Sequence, residues 1–178
     1  MYLISLYFDD EHTKIMNDYI KTVQERTKNC YMTNKNIPAH LTLATLHDYD
    51  EKMMIDQLNE VIKNMNSGFI DVVAIGTFLK NTIYLTPVLN KYLHELSFQI
   101  NAVIDKIDIH REHNRYKPYH WLPHITIARK LNDKELKIAF ESLNQIFSPM
   151  TIKMTHIALS KSHPYQDIYV WKLKGEDE

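Results

Sequence analysis

Apolar residues recur along this chain with two different periods, and these periods predict its helices and strands. Four segments have apolar residues every three or four positions, which places them on one face of a helix. The predicted helices cover residues 11–28, 50–65, 89–108 and 132–147. Shorter runs are continuously apolar or alternate between apolar and polar residues, as strands do. The predicted strands cover residues 2–8, 40–46, 69–79, 82–87, 124–128, 151–161 and 167–173.

The order of these elements repeats within the chain. A strand that starts with His-x-Thr, a helix and two further strands occur in residues 38–87 and again in residues 122–173. A duplicated unit commonly packs with pseudo-twofold symmetry, which would bring the two equivalent strands face to face. Neither unit can bury both sides of its sheet alone. We therefore expect one domain of two lobes that spans residues 1–178.

Composition excludes several classes of function. The 178 residues suit one domain, and the net charge of −1 predicts no broad basic surface for binding long nucleic acids. A phosphate-binding loop of the Walker or Rossmann kind needs clustered glycines, whereas this chain has three glycines, and they are far apart.

The cysteine content and the N-terminus bear on the location of the protein. Cys30 is the one cysteine, so no disulfide can form within the chain and a thiolate metal site is not expected. The apolar residues 1–8 lack a basic start and are followed directly by Asp9 and Asp10, unlike a signal peptide. No apolar run approaches the length of a membrane span. We expect a cytoplasmic monomer without membrane contact.

Two copies of a His-x-Thr strand carry the candidate chemistry. His40 and Thr42 lie two positions apart, as do His124 and Thr126, so each pair shares one face of its strand. Leucines and isoleucines occupy the opposite face, which predicts an apolar side in the core and a polar side towards an open cleft. One copy alone could be an edge strand with a polar side. Two copies at equivalent places in a repeat favour a functional site.

Two histidines and two hydroxyls form a minimal set for breaking a phosphodiester. Such a reaction needs a base for the attacking oxygen and an acid for the leaving oxygen, and the pKa of histidine suits both roles near neutral pH. Thr42 and Thr126 can donate hydrogen bonds to the non-bridging phosphate oxygens. This set requires no metal and no cofactor. The sequence leaves open which of His40 and His124 is the base.

These residues resemble a known family. The motifs beginning at His40 and at His124, together with the segment from Tyr116 to Lys130, are similar to the two-histidine (2H) phosphoesterase superfamily, in its bacterial 2'-5' RNA ligase-like branch. The resemblance covers nearly the whole chain. It implies an α+β fold of two pseudo-symmetric lobes, each an antiparallel sheet flanked by helices, around a central cleft. It also implies that His40, Thr42, His124 and Thr126 act in that cleft.

The resemblance also suggests the class of substrate. Members of this superfamily hydrolyse 2',3'-cyclic phosphates, 2'-5' linkages or related cyclic nucleotides, and some join tRNA halves without ATP. Hydrolysis is favoured over joining in dilute water. The near-neutral charge and the acidic loop after the first motif, with Asp48, Asp50 and Glu51, favour a nucleotide or a short oligoribonucleotide over a tRNA.

Several further residues are candidates for substrate contacts. Arg129 and Lys130 follow the second motif and could bind phosphate, although strict alternation puts Lys130 and not Arg129 on the face of His124. Aromatic residues that could stack on a base, or simply pack a loop or hairpin, lie near the predicted cleft. They are Tyr116, Tyr119, Trp121, Phe78 and Tyr165, with Tyr84 and Ser160 nearby.

A metal site is not expected. His110, His113 and His120 precede His124, but only Glu112 among them supplies a carboxylate, so scattered surface histidines are the simpler interpretation. Two other functions remain open at this point. The chain could degrade cyclic nucleotide or oligonucleotide signals with the same residues, or it could be a nucleotide-binding module without turnover. A plain interaction protein would show no response to nucleotides.

Overall fold

The computed structural model describes residues 1–47, 50–78, 81–107 and 114–175. The strands in these parts of the chain are β1 (Tyr2–Phe8), β2 (Leu41–Leu46), β3 (Gly68–Phe78), β4 (Thr82–Pro87), β5 (Ile125–Arg129), β6 (Met150–Ser162) and β7 (Tyr165–Lys172). The helices are α1 (Asp10–Thr27), α2 (Tyr31–Asn34), α3 (Glu51–Ile62), α4 (Lys91–Ile107) and α5 (Asp133–Ile146), with a short 3₁₀ helix at Asn114–Tyr116. The predicted strands and helices are present, and α2 and the 3₁₀ helix are additional.

The seven strands form one antiparallel sheet that closes on itself, because β6 pairs with β1 as well as with β3 and β7. Pairing runs in the order β1-β2-β5-β4-β3-β6-β7, and β6 also pairs with β1. The N-terminal part of β6 pairs with β3 and its C-terminal part pairs with β7. Strands β2 and β5 meet at a single residue pair, Leu41 and Ile125. The predicted α+β fold of two lobes, built from antiparallel strands with helices, is confirmed.

Apolar helix faces cover the sheet. Met54, Leu58 and Ile62 of α3 are buried, as are Leu93 and other residues of the stripe on α4. The ends of the helices are capped as their sequences dictate: Asp9 accepts a hydrogen bond from the N–H of His12, and Asn132 and Glu135 form a capping box at α5. None of the helices in the described residues is long and apolar enough to cross a membrane.

Two apolar residues that continue the helical spacing of the predicted helices 89–108 and 132–147 are exposed, although that spacing predicts them in the core. Phe140 is 43% exposed because α5 turns Ala139 and Leu143 inward, and Phe140 lies beside that face. Leu89 is 42% exposed because α4 begins at Lys91, after the apolar spacing has already started.

Matching β-bulges interrupt the two strands that carry the motifs. In β2 the pairing with β1 shifts so that Leu43 is an extra residue, and in β5 the pairing with β4 shifts so that Ile127 is extra. Alternation therefore changes phase after each threonine, and Ala44 and Ala128 lie in the hydrophobic core. Simple alternation, counted from each histidine, predicts that both alanines share the face of the histidines. That expectation is wrong, because a bulge inserts one residue that simple alternation does not count.

Candidate active site

One pocket collects side chains from both repeats. It has a volume of about 620 Å³ and lies where β2 and β5 meet. From the first motif it is lined by His40, Thr42 and Thr45, and from the second by His124, Thr126 and Arg129. Thr45 and Arg129 occupy equivalent positions, five residues after each histidine. They reach the pocket because the two bulges return these positions to the face of the histidines.

Each histidine is held by the same backbone restraint. The Nδ1 atom of His40 lies 2.8 Å from the carbonyl oxygen of Pro38, and the Nδ1 atom of His124 lies 2.9 Å from that of Leu122. A carbonyl oxygen only accepts hydrogen bonds, so Nδ1 must carry the hydrogen in both rings. In the neutral form of each ring, Nε2 is then left with a free lone pair and can accept a proton.

Aromatic rings fix the plane of His40. Its ring is nearly parallel to that of Tyr165, with centroids 5.6 Å apart and an interplanar angle of 29°. The ring of Tyr7 meets His40 edge-on, at 6.4 Å and 86°. Tyr165 lines the pocket, and Tyr7 comes from β1 beside it.

His124 has its own set of aromatic neighbours. Phe78 contacts it edge-on with centroids 4.9 Å apart, and Tyr84 does so at 5.5 Å. Phe78 and Tyr84 are themselves stacked at 4.2 Å. The ring centroid of Tyr116 lies 6.3 Å from that of His124, and Tyr116 lines the pocket together with both motifs.

Burial lowers the pKa of both histidines below the ordinary value. For His40, desolvation is the main cause. The carbonyl of Pro38 and the charge of Asp167 oppose it, while His124 and Arg129 lower the pKa further. For His124, desolvation again dominates, Arg129 adds to it, and the carbonyl of Leu122 opposes it. The site thus favours neutral rings until an anion enters.

The structure places some of the other candidate residues in the pocket and others outside it. Phe78, Tyr116, Tyr165 and Arg129 line the pocket together with the two motifs. Lys130 does not line it. Lys130 follows the end of β5 with a positive φ of 59°, and its carbonyl oxygen accepts a hydrogen bond from Asn29. The expectation that Lys130 and not Arg129 shares the face of His124 is therefore reversed, because of the bulge at Ile127.

Two candidate aromatic residues lie away from the pocket. Trp121 is 7% exposed and belongs to the hydrophobic core. Tyr119 is 78% exposed on the outer surface, where its ring lies 5.6 Å from that of Phe98 and 5.1 Å from that of His94. Neither side chain lines the pocket that contains the motifs.

Some residues of the site were not singled out from the sequence. Asn81, Thr82, Arg115, Ser162 and His163 line the pocket. His120 also lines it, although its place in the sequence suggested at most a metal ligand. Asn81 and Thr82 lie where β4 begins, and Ser162 and His163 lie where β6 ends, so they belong to the strand pairs β3–β4 and β6–β7. The internal repeat could have revealed the equivalence of these two strand pairs. No pattern in the sequence points to Arg115.

The described residues contain no group of three or more histidine, cysteine, aspartate or glutamate side chains placed to hold a metal ion. His110, Glu112 and His113 lie outside the described residues.

Comparison with known proteins identifies the family. The family model of the 2'-5' RNA ligase superfamily matches residues 14–166. The chain therefore belongs to this superfamily of two-histidine phosphoesterases, as the resemblance of its motifs predicted. It is also 26% identical over 148 residues to a "Putative phosphoesterase" of Bacillus pumilus, which covers 79% of this chain and 82% of the relative. The protein is thus an enzyme of the two-histidine phosphoesterase kind.

Solved structures share the fold over almost the entire chain. TT0787 of Thermus thermophilus superposes with a TM-score of 0.63 at 16% identity, covering 98% of both chains. LigT of E. coli in complex with NADP+ superposes with a TM-score of 0.59 at 17% identity, covering 97% of this chain and 96% of LigT. LigT in complex with 3'-AMP gives a TM-score of 0.54 at 14% identity, covering 97% of both chains. At these identities the likeness supports the fold alone.

Proposed function

We propose that this protein is a metal-independent phosphodiesterase that hydrolyses a 2',3'-cyclic or 2'-5' linked ribonucleotide phosphate. The observation that carries the proposal is the mirrored pair His40 and His124. Both rings line one pocket, and both have Nδ1 committed to a backbone carbonyl, which directs the chemistry to Nε2. Acid–base catalysis by such a pair typically contributes about 10²- to 10⁴-fold to a rate for each group.

Each step of the proposed reaction passes one proton through each ring. A neutral histidine accepts a proton from the attacking oxygen, which is that of water when the substrate is a 2',3'-cyclic phosphate. For a 2'-5' link the neighbouring ribose hydroxyl attacks instead, which consumes no water and gives a 2',3'-cyclic phosphate that water opens in a second step. The activated oxygen forms a new bond to phosphorus, and the bond from phosphorus to the leaving ribose oxygen breaks. The other histidine, protonated at Nε2, donates its proton to that oxygen. The side on which the leaving oxygen binds determines which ring acts as the acid.

The remaining polar residues would hold the phosphate. Thr42 and Thr126 lie two residues after the histidines and can donate their hydroxyl hydrogens to the non-bridging oxygens. Arg129 adds a charge-assisted donor, which acts most strongly on the negative charge that grows in the transition state. We assign these three residues to phosphate binding. Lys130 is a weaker candidate for this role because it does not line the pocket.

Aromatic residues of the pocket would hold the base. Phe78, Tyr116 and Tyr165 line it, and every nucleobase offers a face that can stack on such a ring. Complexes of LigT with 3'-AMP, ATP and NADP+ support a nucleotide as the ligand class. Because each repeat contributes one histidine to the pocket, we propose that residues 1–178 act as one domain. Tyr119 and Trp121 lie outside this pocket, so we give them no part in base binding there.

A panel of substrates in the presence of EDTA tests the proposal. The panel contains 2',3'-cyclic nucleotides, 2'-5' and 3'-5' dinucleotides, 3',5'-cyclic nucleotides and cyclic dinucleotides. Turnover of the first two classes is expected. Turnover confined to the last two classes would assign the enzyme to the removal of cyclic nucleotide signals. An increase in melting temperature with nucleotides, but no turnover of any, would instead support a binding module.

The pH dependence follows from the lowered pKa of both histidines. The reaction needs one histidine of the pair protonated and the other neutral. Because both pKa values are lowered, the free enzyme loses that proton at a lower pH than an ordinary histidine does. We therefore expect kcat/KM to peak below about pH 6.5 and to fall about tenfold per pH unit on the alkaline side. Bound phosphate is an anion that raises both pKa values, so the kcat profile should lie at higher pH. A maximum of kcat/KM above pH 8 would contradict this account.

Arg129 and Lys130 provide a matched pair of variants. Arg129→Ala removes a donor to the phosphate and should lower kcat/KM by about 10- to 100-fold, since a hydrogen bond to a charged group contributes about 1.5–3 kcal/mol. Because Arg129 lowers the pKa of both histidines, its loss should also move the alkaline limb to higher pH. Lys130→Ala should change neither quantity by more than about twofold. Equal losses in both variants would remove Arg129 from the proposed role.

A further inference from the structure

A hydrogen-bonded cluster lies beside His40. The hydroxyl of Tyr7 donates to Asp167, with distances of 2.9 Å to Oδ1 and 3.2 Å to Oδ2. The hydroxyl of Ser160 donates to Oδ1 of Asp167 at 2.6 Å. The oxygen of Tyr165 lies 2.6 Å from that of Tyr7. We call these four residues the tyrosine–aspartate cluster.

Three neighbouring strands bring the cluster together. Tyr7 lies on β1, Ser160 on β6, and Tyr165 and Asp167 on β7. Ser160 is the direct partner of Asp167 across the β6–β7 pair. Tyr165 and Asp167 are two positions apart on one strand, so both side chains project from the same face. This face is the one that carries the pocket, because Tyr165 lines it.

The direction of the hydrogen bonds is determined by the chemistry of the groups. An ionised carboxylate only accepts, so Tyr7 and Ser160 both use their hydrogens on Asp167. The hydrogen of Tyr165 is then the one that joins the two phenols. Burial raises the pKa of Tyr7 and that of Tyr165, so both phenols keep their hydrogens throughout the working range of a histidine pair. The phenol of Tyr165 is thereby tied to Tyr7, and Tyr7 is tied to the carboxylate.

The cluster touches His40 through its two aromatic rings. Tyr165 covers one face of the imidazole at 29°, and Tyr7 meets it edge-on at 86°. Together with the bond from Nδ1 to Pro38, these contacts restrain rotation of the imidazole about its side-chain bonds. His124 has a different environment, because its nearest ring is Phe78, which has no hydroxyl to tether.

We propose that Tyr7, Ser160 and Asp167 are positioning residues, which hold Tyr165 against His40 and so keep Nε2 of His40 aligned for proton transfer. This inference rests on the proposed two-histidine chemistry. The three residues need no contact with the substrate to perform this role. A displacement of about 1 Å at a reacting group can lower a rate about 100-fold, so a tether of this kind has a measurable effect.

Tyr7→Phe is the sharpest kinetic test, because it keeps the ring and removes only the hydroxyl. We expect kcat to fall about 10- to 100-fold with KM within about twofold of wild type. Tyr169→Phe is the matched control. This variant also removes only a phenol hydroxyl, on strand β7. The ring of Tyr169 packs on Trp171, outside the tyrosine–aspartate cluster. Circular dichroism and the melting temperature identify variants that have lost their fold. A kcat of Tyr7→Phe within about twofold of wild type would overturn the proposal.

Titration of the histidines by NMR tests the link to Asp167 without any substrate. The charged and titratable groups that face His40 are Tyr7, Tyr165, Asp167, His124 and Arg129. Among them Asp167 is the anion that favours the protonated ring. Asp167→Asn removes that charge, so the pKa of His40 should fall further while that of His124 stays in place.

The two readouts separate the possible failures. Absence of turnover in wild type would defeat the proposed function, and the NMR titration would still decide whether Asp167 acts on His40. Normal turnover in wild type, with unchanged kcat in Tyr7→Phe and an unchanged His40 pKa in Asp167→Asn, would defeat the positioning role alone.

Discussion

Replacing either His40 or His124 with alanine is expected to lower kcat by about 10²- to 10⁴-fold. Each ring transfers one proton in the transition state, and neither can perform both transfers, because the attacking and leaving oxygens lie on opposite sides of phosphorus. KM should change much less, because Thr42, Thr126 and Arg129 still hold the phosphate. The loss should therefore appear in kcat and in kcat/KM to a similar extent.

A variant that lacks both His40 and His124, and a control variant at a distant histidine, complete this test. Since the two rings act in one step, removing both should lower kcat little more than removing one. His94→Ala is the control, because His94 lies on α4 and does not line the pocket. Kinetics on the best substrate of the panel provide the measurement. Retention of more than about a tenth of wild-type kcat in either single variant would contradict the role of that ring in proton transfer.

The second large effect is expected at a glycine behind His124. Gly76 on β3 pairs directly with Tyr84 on β4, and a Cβ atom at Gly76 would lie 2.5 Å from the ring of Tyr84. That ring packs against those of Phe78 and His124, so it has little freedom to move aside. Gly76→Ala should reduce the free energy of unfolding by about 1–3 kcal/mol, as overpacking does. It should also lower kcat about tenfold by displacing His124.

Gly68 offers a matched control for Gly76. A Cβ atom at Gly68 would lie 2.6 Å from the ring of Tyr92, which is an equally close approach outside the pocket. Gly68→Ala should therefore lose stability without losing kcat per folded molecule. Chemical denaturation and steady-state kinetics at a temperature where both variants are folded provide the measurement. Normal kcat in Gly76→Ala would show that Tyr84 does not constrain His124.

Local sequence patterns were sufficient to predict the elements and to single out the two histidines that line the pocket. Strands β1 and β4 have the predicted bounds, because apolar alternation and the turn residues around them agree. The two histidines could be singled out because the repeat placed one His-x-Thr motif in each half. These features depend on residues that are close together in the chain, and a single sequence shows such local patterns directly.

The residues that sequence patterns misplaced or missed depend on distant partners. Arg129 reaches the pocket through a bulge that is defined by its pairing with β4, and alternation along β5 alone cannot reveal it. Tyr7 and Asp167 are 160 positions apart, so no spacing rule connects them. Trp121 has an aromatic side chain suited to stacking, yet it is buried in the hydrophobic core.

The most direct test of the central claim is a ³¹P NMR time course of a 2',3'-cyclic nucleotide with the wild-type protein in EDTA. The signal of the cyclic diester and that of the product monoester are followed in the same tube. Steady conversion to a single monoester, unchanged by EDTA, is the predicted result. No conversion in EDTA, with conversion restored by adding a divalent metal, would contradict a two-histidine mechanism that needs no metal.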